Sequence, residues 1–229
     1  MEKPKLVVLT GAGISAESGL KTFRDAKGLW EEHDIMEVAS IEGWHKNPGL
    51  VLEFYNQRRR QLAEAQPNRA HEILAELESD FDVQVVTQNV DNLHERGGST
   101  KVLHLHGELT KVRSTLDESF IEDIGYGDLK PGDRGPDGAQ LRPHIVWFGE
   151  AVPMIMEADR YVREADIFAV IGTSLVVYPA AGLVSSMRRD VPGYLVDPNA
   201  SEMSLPGNFT VIAETAAKGV ETLRRMLKV

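Results

Sequence analysis

Four groups of residues in this 229-residue chain have types and spacings that suit chemistry. Gly11-Ala12-Gly13-Ile14-Ser15-Ala16 follows the apolar run Lys5–Leu9 and has the G-x-G-x-x-G/A form. Glycines so spaced let the backbone turn tightly and approach a pyrophosphate at a helix N-terminus, although a plain tight turn needs them as well. His106 ends the run Val102–Leu105 and precedes Gly107, which leaves room around the ring. Imidazole is the natural general base near neutral pH. A second histidine, His104, lies two residues earlier in the same run. Asn89 and Asp91 lie one residue apart after Val83–Val86. There they can serve one crevice, or act as turn and cap residues. Finally, Tyr55 and Arg58 share a helix face at i and i+3 with Val51 and Leu62 on the same stripe. Arg58 is thereby less free to be merely solvated than Arg59 or Arg60. It either snorkels past apolar neighbours to water or forms a fork with a carboxylate, to which the Tyr55 hydroxyl donates a third hydrogen bond.

Positioning these groups requires a scaffold, and the apolar runs supply one. His144–Phe148, Ile167–Ile171, Tyr194–Val196 and Phe209–Ile212 read as further strands. Each ends in a glycine or polar cluster: Gly149-Glu150, Gly172-Thr173-Ser174, Asp197-Pro198-Asn199 and Ala213-Glu214-Thr215. Helical periodicity covers 50–64, 68–78, 152–165, 180–189 and 216–227. Short strands alternating with helices predict an α/β fold, a Rossmann-like, mostly parallel sheet with helices on both faces. Its ligand crevice lies outside the carboxyl ends of the strands, where the clusters sit. Two stretches break the rhythm: 23–48 has no clear strand, and 114–141 is rich in Gly, Pro and acids. A single domain over 1–229 is expected, with its core at about 1–22, 67–113 and 142–229. Residues 23–66 and 114–141 form a small inserted lobe and loops.

Composition narrows the function. Acidic residues exceed basic ones by 35 − 25 = 10, so no nucleic-acid partner is expected, since a phosphate backbone needs a basic face. No run approaches a membrane span, and no signal-peptide core follows Met1. A cytoplasmic, monomeric protein without membrane contact is the expectation. With no cysteine there is no disulfide, no thiolate nucleophile and no Cys-based zinc site. The acid that usually ends a second strand about 20 residues beyond the glycine turn has no counterpart. Glu31, Glu32 and Asp34 follow Trp30 with no strand before them. A hydride-transferring dehydrogenase is disfavoured accordingly.

A longer string is more specific. Gly11-Ala-Gly-Ile-Ser-Ala-Glu-Ser-Gly19-Leu-Lys-Thr-Phe23-Arg24, continuing to Gly28-Leu29-Trp30, resembles the cofactor loop of the sirtuins, the NAD-dependent protein-lysine deacylases. Four further blocks resemble the same family in the same order: Thr87–His94, Leu105-His106-Gly107, Val146–Glu150, and Gly172-Thr173-Ser174 with Tyr178-Pro179-Ala180. The resemblance implies NAD as cofactor and acylated-lysine proteins or peptides as partners. It makes His106 the base that deprotonates a ribose hydroxyl after the acyl oxygen attacks C1′ and nicotinamide leaves, with Asn89 orienting a ribose-side water or hydroxyl. It further implies cofactor contacts from Gly11, Ala12, Gly13, Ser15, Phe23, Arg24, Trp30, Gln88, Asn89, Asp91, Gly172, Thr173 and Ser174. Asp91 holds the nicotinamide carboxamide, and Phe23 shields the centre from water. At the adenosine end the candidates are Asp197, Pro198, Asn199 and Ala216. The Val146–Glu150 strand, with Val146, Phe148 and Gly149, and the Val176–Tyr178 segment, with Val177, look like the edges between which a substrate peptide adds as a strand. Tyr-x-x-Arg at Tyr55 and Arg58, with a small Ala39, resembles the acyl pocket of members that prefer succinyl- or malonyl-lysine and also deacetylate. Many members carry four zinc cysteines in the small lobe. Here Ser114-Thr115 stands where the first pair would begin, so no metal is expected. Two other functions stay open: an NAD or ADP-ribose sensor without turnover, and a protein ADP-ribosyltransferase.

Overall fold

The computed structural model describes residues 2–21, 29–30, 33–203, 205 and 207–227. Strand β1 (Lys5–Thr10) leads into a 3-10 turn over Ala12–Ser18, and β2 (Leu29–Trp30) pairs antiparallel with β3 (His33–Asp34). Helices α1 (Ile35–Val38), α2 (Ile41–Lys46), α3 (Pro48–Glu64) and α4 (Arg69–Glu76) follow. Next come β4 (Asp82–Thr87), α5 (Leu93–Arg96), β5 (Val102–His104), β6 (Gly107–Ser114), β7 (Ile121–Asp123) and β8 (Leu141–Ile145). The remaining elements are α6 (Ile155–Glu164), β9 (Ile167–Ile171), a 3-10 turn over Ala180–Ser186, β10 (Gly193–Val196), β11 (Phe209–Ile212) and α7 (Ala216–Met226).

Six strands form one parallel sheet in the order β11-β10-β9-β1-β4-β5. The alternation of β1 shows why its run is apolar throughout. Leu6 and Val8 face a core built with Ile73, Leu74, Val220 and Leu223 of α4 and α7. Val7 and Leu9 face a second core with Val162 of α6 and Leu183. A strand buried on both faces must be apolar at every position. Because β4 pairs on one side of β1 and β9 on the other, the strand order reverses at β1 and opens a crevice beyond its carboxyl end. Among the described residues no helix is long and apolar enough to cross a membrane.

A second, antiparallel sheet in the order β7-β6-β8 packs on α3 around Leu52, Phe54, Leu109, Val112, Leu141 and Trp147. Its membership differs from the sequence expectation. Residues 107–113 and 142–145, assigned above to the core, belong to this sheet. The expected strand His144–Phe148 is likewise displaced: the strand is Leu141–Ile145, and Phe148 instead pairs with Ser40. Local alternation cannot distinguish these pairings, because both partners lie far away in sequence. The helical pattern over 180–189 is a 3-10 turn, Ala180–Ser186.

Where the strand order reverses, two backbones touch. Gly13 N–H donates to the Gly172 carbonyl at 2.8 Å. Gly172 has φ +62°, and a Cβ there would lie 2.4 Å from Ile14 N. Gly172→Ala is therefore expected to destabilise the protein by about 2–4 kcal/mol, combining left-handed strain with a backbone clash. Urea unfolding measures this, and an unchanged midpoint would refute the close-approach constraint.

Candidate active site

The crevice is a cleft of about 690 Å³ at the carboxyl ends of β1, β4, β9 and β10. Gly11, Ala12, Gly13 and Ser15 form one wall and Gly172, Thr173 and Ser174 another. A Cβ on Gly11 would lie 2.7 Å from Thr173 Cβ, and one on Gly13 2.7 Å from Gly172 Cα. Bare backbone thus lines the cleft because nothing larger fits. Asp197, Pro198, Asn199 and Ala216 line its far end, where the buried Asp197 carboxylate accepts from Asn199 N–H at 2.9 Å.

His106 leaves β5 for β6 and donates Nδ1–H to the Gln88 carbonyl at 2.9 Å. A carbonyl only accepts, so Nδ1 carries the proton and Nε2 is the basic nitrogen of the neutral ring. Burial pushes the ring below the ordinary imidazole pKa, which this hydrogen bond only partly opposes. Gly107 permits the turn: its φ is +80°, and a Cβ would lie 2.0 Å from the His144 carbonyl oxygen.

The side chains beside His106 are tied together. Gln88 Nε2 donates to Thr173 Oγ1 at 3.1 Å, bridging β4 and β9. Asn89 donates its backbone N–H to Thr87 Oγ1 and its side-chain amide to Ser15 Oγ, at 3.0 and 3.2 Å. Ser15 in turn donates to Asp91 at 3.0 Å, and Leu93 N–H donates to the other Asp91 oxygen at 3.1 Å. Burial raises the Asp91 pKa and these two hydrogen bonds oppose it. His104 is not part of the cleft lining; it bridges the Asn89 carbonyl and Glu95. Glu95 offsets burial and raises the His104 pKa.

A third wall comes from α3 and the residues after β8. Tyr55, Arg58 and Ala39 line the cleft together with Trp147. Trp147 Nε1–H donates to the Tyr55 hydroxyl at 2.9 Å, and burial raises the Tyr55 pKa strongly. The Arg58 guanidinium carbon lies 5.5 Å from the Phe54 ring centre. Arg59 corrects the sequence expectation, because it is completely buried rather than solvated. Its Nη1 donates to Asn56 Oδ1 at 2.8 Å, and burial lowers its pKa to about 10. The available signal was Asn56 at i−3. Arg60 is exposed and pairs with Asp128 and Glu53.

Val146, Phe148 and Gly149 edge the cleft opposite Val177. Phe148 N–H donates to the Ala39 carbonyl at 2.9 Å, fixing that rim to the segment between α1 and α2. Setting three aside, every anticipated residue lines this cleft. Phe23 and Arg24 lie outside the described residues, as does the Trp30 side chain. Sequence reasoning missed Trp147, whose indole needs a partner when buried. It also missed Glu17, which lines the cleft and accepts from Ala217 N–H at 2.8 Å, capping α7.

Comparison with known proteins places this geometry. A model described as the Sir2 family matches residues 11–179. An NAD-dependent protein deacylase of Bacteroides thetaiotaomicron is 55% identical over 227 residues, covering 97% of each chain. One from Helicobacter pylori is 57% identical over 218 residues, covering 95% of each. A solved Sir2 homologue–NAD complex superposes with a TM-score of 0.86 at 37% identity, covering 99% of this chain and 90% of that one. A Sir2–p53 peptide–NAD+ complex superposes with a TM-score of 0.77 at 28% identity, covering 99% of this chain and 95% of that one.

The geometry of His106 makes a prediction. In an NMR titration its ring should have a midpoint below 6.5 and stay neutral at pH 7, with Nε2 unprotonated. Since the folded-state pKa is the lower one, the associated stability is present above the ordinary value and lost as pH falls through the folded one. A midpoint above 6.5 would mean the ring is held charged.

Proposed function

The chain belongs to the Sir2 family, and on that premise we propose that it is an NAD-dependent protein-lysine deacylase with a preference for succinyl and malonyl groups over acetyl. What carries the acyl preference is a single observation: Tyr55 and Arg58 line the same cleft as His106, among otherwise mainly apolar side chains. In such a setting an acyl carboxylate gains a charge-assisted fork from the guanidinium and a third hydrogen bond from the phenol. Acetyl has no group to receive either.

The residues fit the cofactor. Gly11, Gly13 and Gly172 leave a backbone cradle that a Cβ would fill, the kind of surface a pyrophosphate needs. Asp197, Pro198, Asn199 and Ala216 would hold the adenosine end, and Ser15, Asn89 and Asp91 the nicotinamide ribose and carboxamide. When bound, NAD supplies an activated glycosidic carbon that accepts the acyl oxygen as nicotinamide departs. His106 Nε2 takes the proton of a ribose hydroxyl, which Asn89 helps to orient. Val146–Gly149 and Val176–Tyr178 hold the peptide between them by main-chain hydrogen bonds, giving sequence-tolerant affinity. With one water consumed as the lysine amine is released, the products would be nicotinamide, 2′-O-acyl-ADP-ribose and free lysine.

Two measurements test this. Mass spectrometry of NAD with a succinyl-lysine peptide should show acyl-ADP-ribose in solution. A sensor would form no nicotinamide, and a transferase would place ADP-ribose on protein. Arg58→Met should lower kcat/KM for the succinyl peptide about 30- to 1000-fold, corresponding to roughly 2–4 kcal/mol, while deacetylation changes little. An unchanged ratio would sink the carboxylate fork.

A further inference from the structure

The Tyr55 phenol has one proton to give and an oxygen that also accepts. The indole N–H of Trp147 is a donor only, so at 2.9 Å it must be the donor and the Tyr55 oxygen the acceptor. That contact turns the phenol proton away from Trp147, and among the described residues no acceptor takes it. Tyr55 and Trp147 are 1% and 2% exposed, so water offers little substitute. Both line the cleft beside Arg58.

The indole is itself immobilised. The Arg142 guanidinium carbon lies 3.6 Å from the Trp147 ring centre. Arg142 donates to both Glu150 carboxylate oxygens at 2.6 and 2.9 Å, and Trp147 backbone N–H donates to the same carboxylate at 2.8 Å. The Trp44 ring packs 5.5 Å away. Swinging the indole would break its stacking on the Arg142 guanidinium, which the ion pair with Glu150 holds in place. We propose that Trp147 is a specificity-determining positioning residue: its indole N–H fixes the Tyr55 hydroxyl so that the phenol proton is presented to an acyl carboxylate. The inference rests on the acidic-acyl reading of Tyr55 and Arg58. It adds that discrimination needs a third side chain, one that acts through Tyr55.

Trp147→Phe keeps an aromatic face for Arg142 and removes only the donor. It should lower the succinyl-to-acetyl ratio of kcat/KM about 5- to 30-fold, through the succinyl peptide's KM rather than its kcat. In the Tyr55→Phe background the same substitution should have no further effect on the succinyl-to-acetyl ratio. An equal drop in both backgrounds, or no drop in the first, overturns the proposal. A second readout needs neither activity nor a folded Trp147 variant. Tyr55→Phe should move the Trp147 indole N–H resonance upfield, and an unmoved resonance also overturns the proposal. The Arg58→Met comparison separates the two levels. A parent protein without succinyl preference overturns both, whereas an intact, Arg58-dependent preference that ignores Trp147 overturns this inference alone.

Discussion

The hydrogen bond from His106 to the Gln88 carbonyl is the contact on which the proposed chemistry depends. It ties the start of the antiparallel sheet to the end of β4 in the parallel one, and it decides which imidazole nitrogen is basic. Only a chain that leaves one sheet and enters the other at this point can place the ring so. Gly107 makes the turn with a positive φ, where a side chain would run into the His144 carbonyl. Burial then keeps the ring neutral. Position, tautomer and protonation state all follow from one reversal of the chain.

Around that base the cleft is polarised. Asp91 and Asp197 are buried at the sheet side, and Arg58 is buried at the α3 side. Removing such groups from water costs free energy unless they are hydrogen-bonded, and Ser15 and Leu93 N–H satisfy Asp91. The small lobe has a parallel arrangement without any cysteine. Arg142 and Arg113 share the Glu150 carboxylate, while Ser114 Oγ and the backbone N–H groups of Asp117 and Ala139 donate to Asp137. A buried ion cluster contributes little net stability but fixes geometry, because breaking it leaves charge unpaired.

Much of the scaffold was legible because it is local. β1 and β9 are apolar over Leu6–Leu9 and Ile167–Ile171, being buried on both faces, β4 buries Val83, Val85 and Val86, and the ends of these strands are marked by the glycine and Asn-Val-Asp clusters that form the cleft. What sequence could not reveal depends on distant partners. The run His144–Phe148 looks continuous, yet its last residue pairs with Ser40, so the strand ends at Ile145. Arg59 looks like a solvated member of an Arg-Arg-Arg run. Its burial follows from Asn56, which both accepts from Leu129 N–H and donates to the Leu129 carbonyl, closing the lobe over the guanidinium.

The same helix explains why the lobe matters to the pocket. Tyr55 and Arg58 occupy one stripe of α3 and face the cleft, while Asn56 and Arg59 occupy the adjacent stripe and are fastened to the loop at Leu129. Trp147, the residue against Tyr55, comes from the segment that follows β8. The part of the cleft lined by Tyr55, Arg58 and Trp147 is therefore assembled from both partners of the α3–antiparallel sheet interface, and neither alone contains it. Small shifts between helix and sheet would separate the indole from the phenol before they disturbed His106, whose anchor is the Gln88 carbonyl at the end of the parallel sheet. In this architecture the proposed base and the proposed acyl-selecting side chains rest on different contacts. The pocket can vary while the base stays in place.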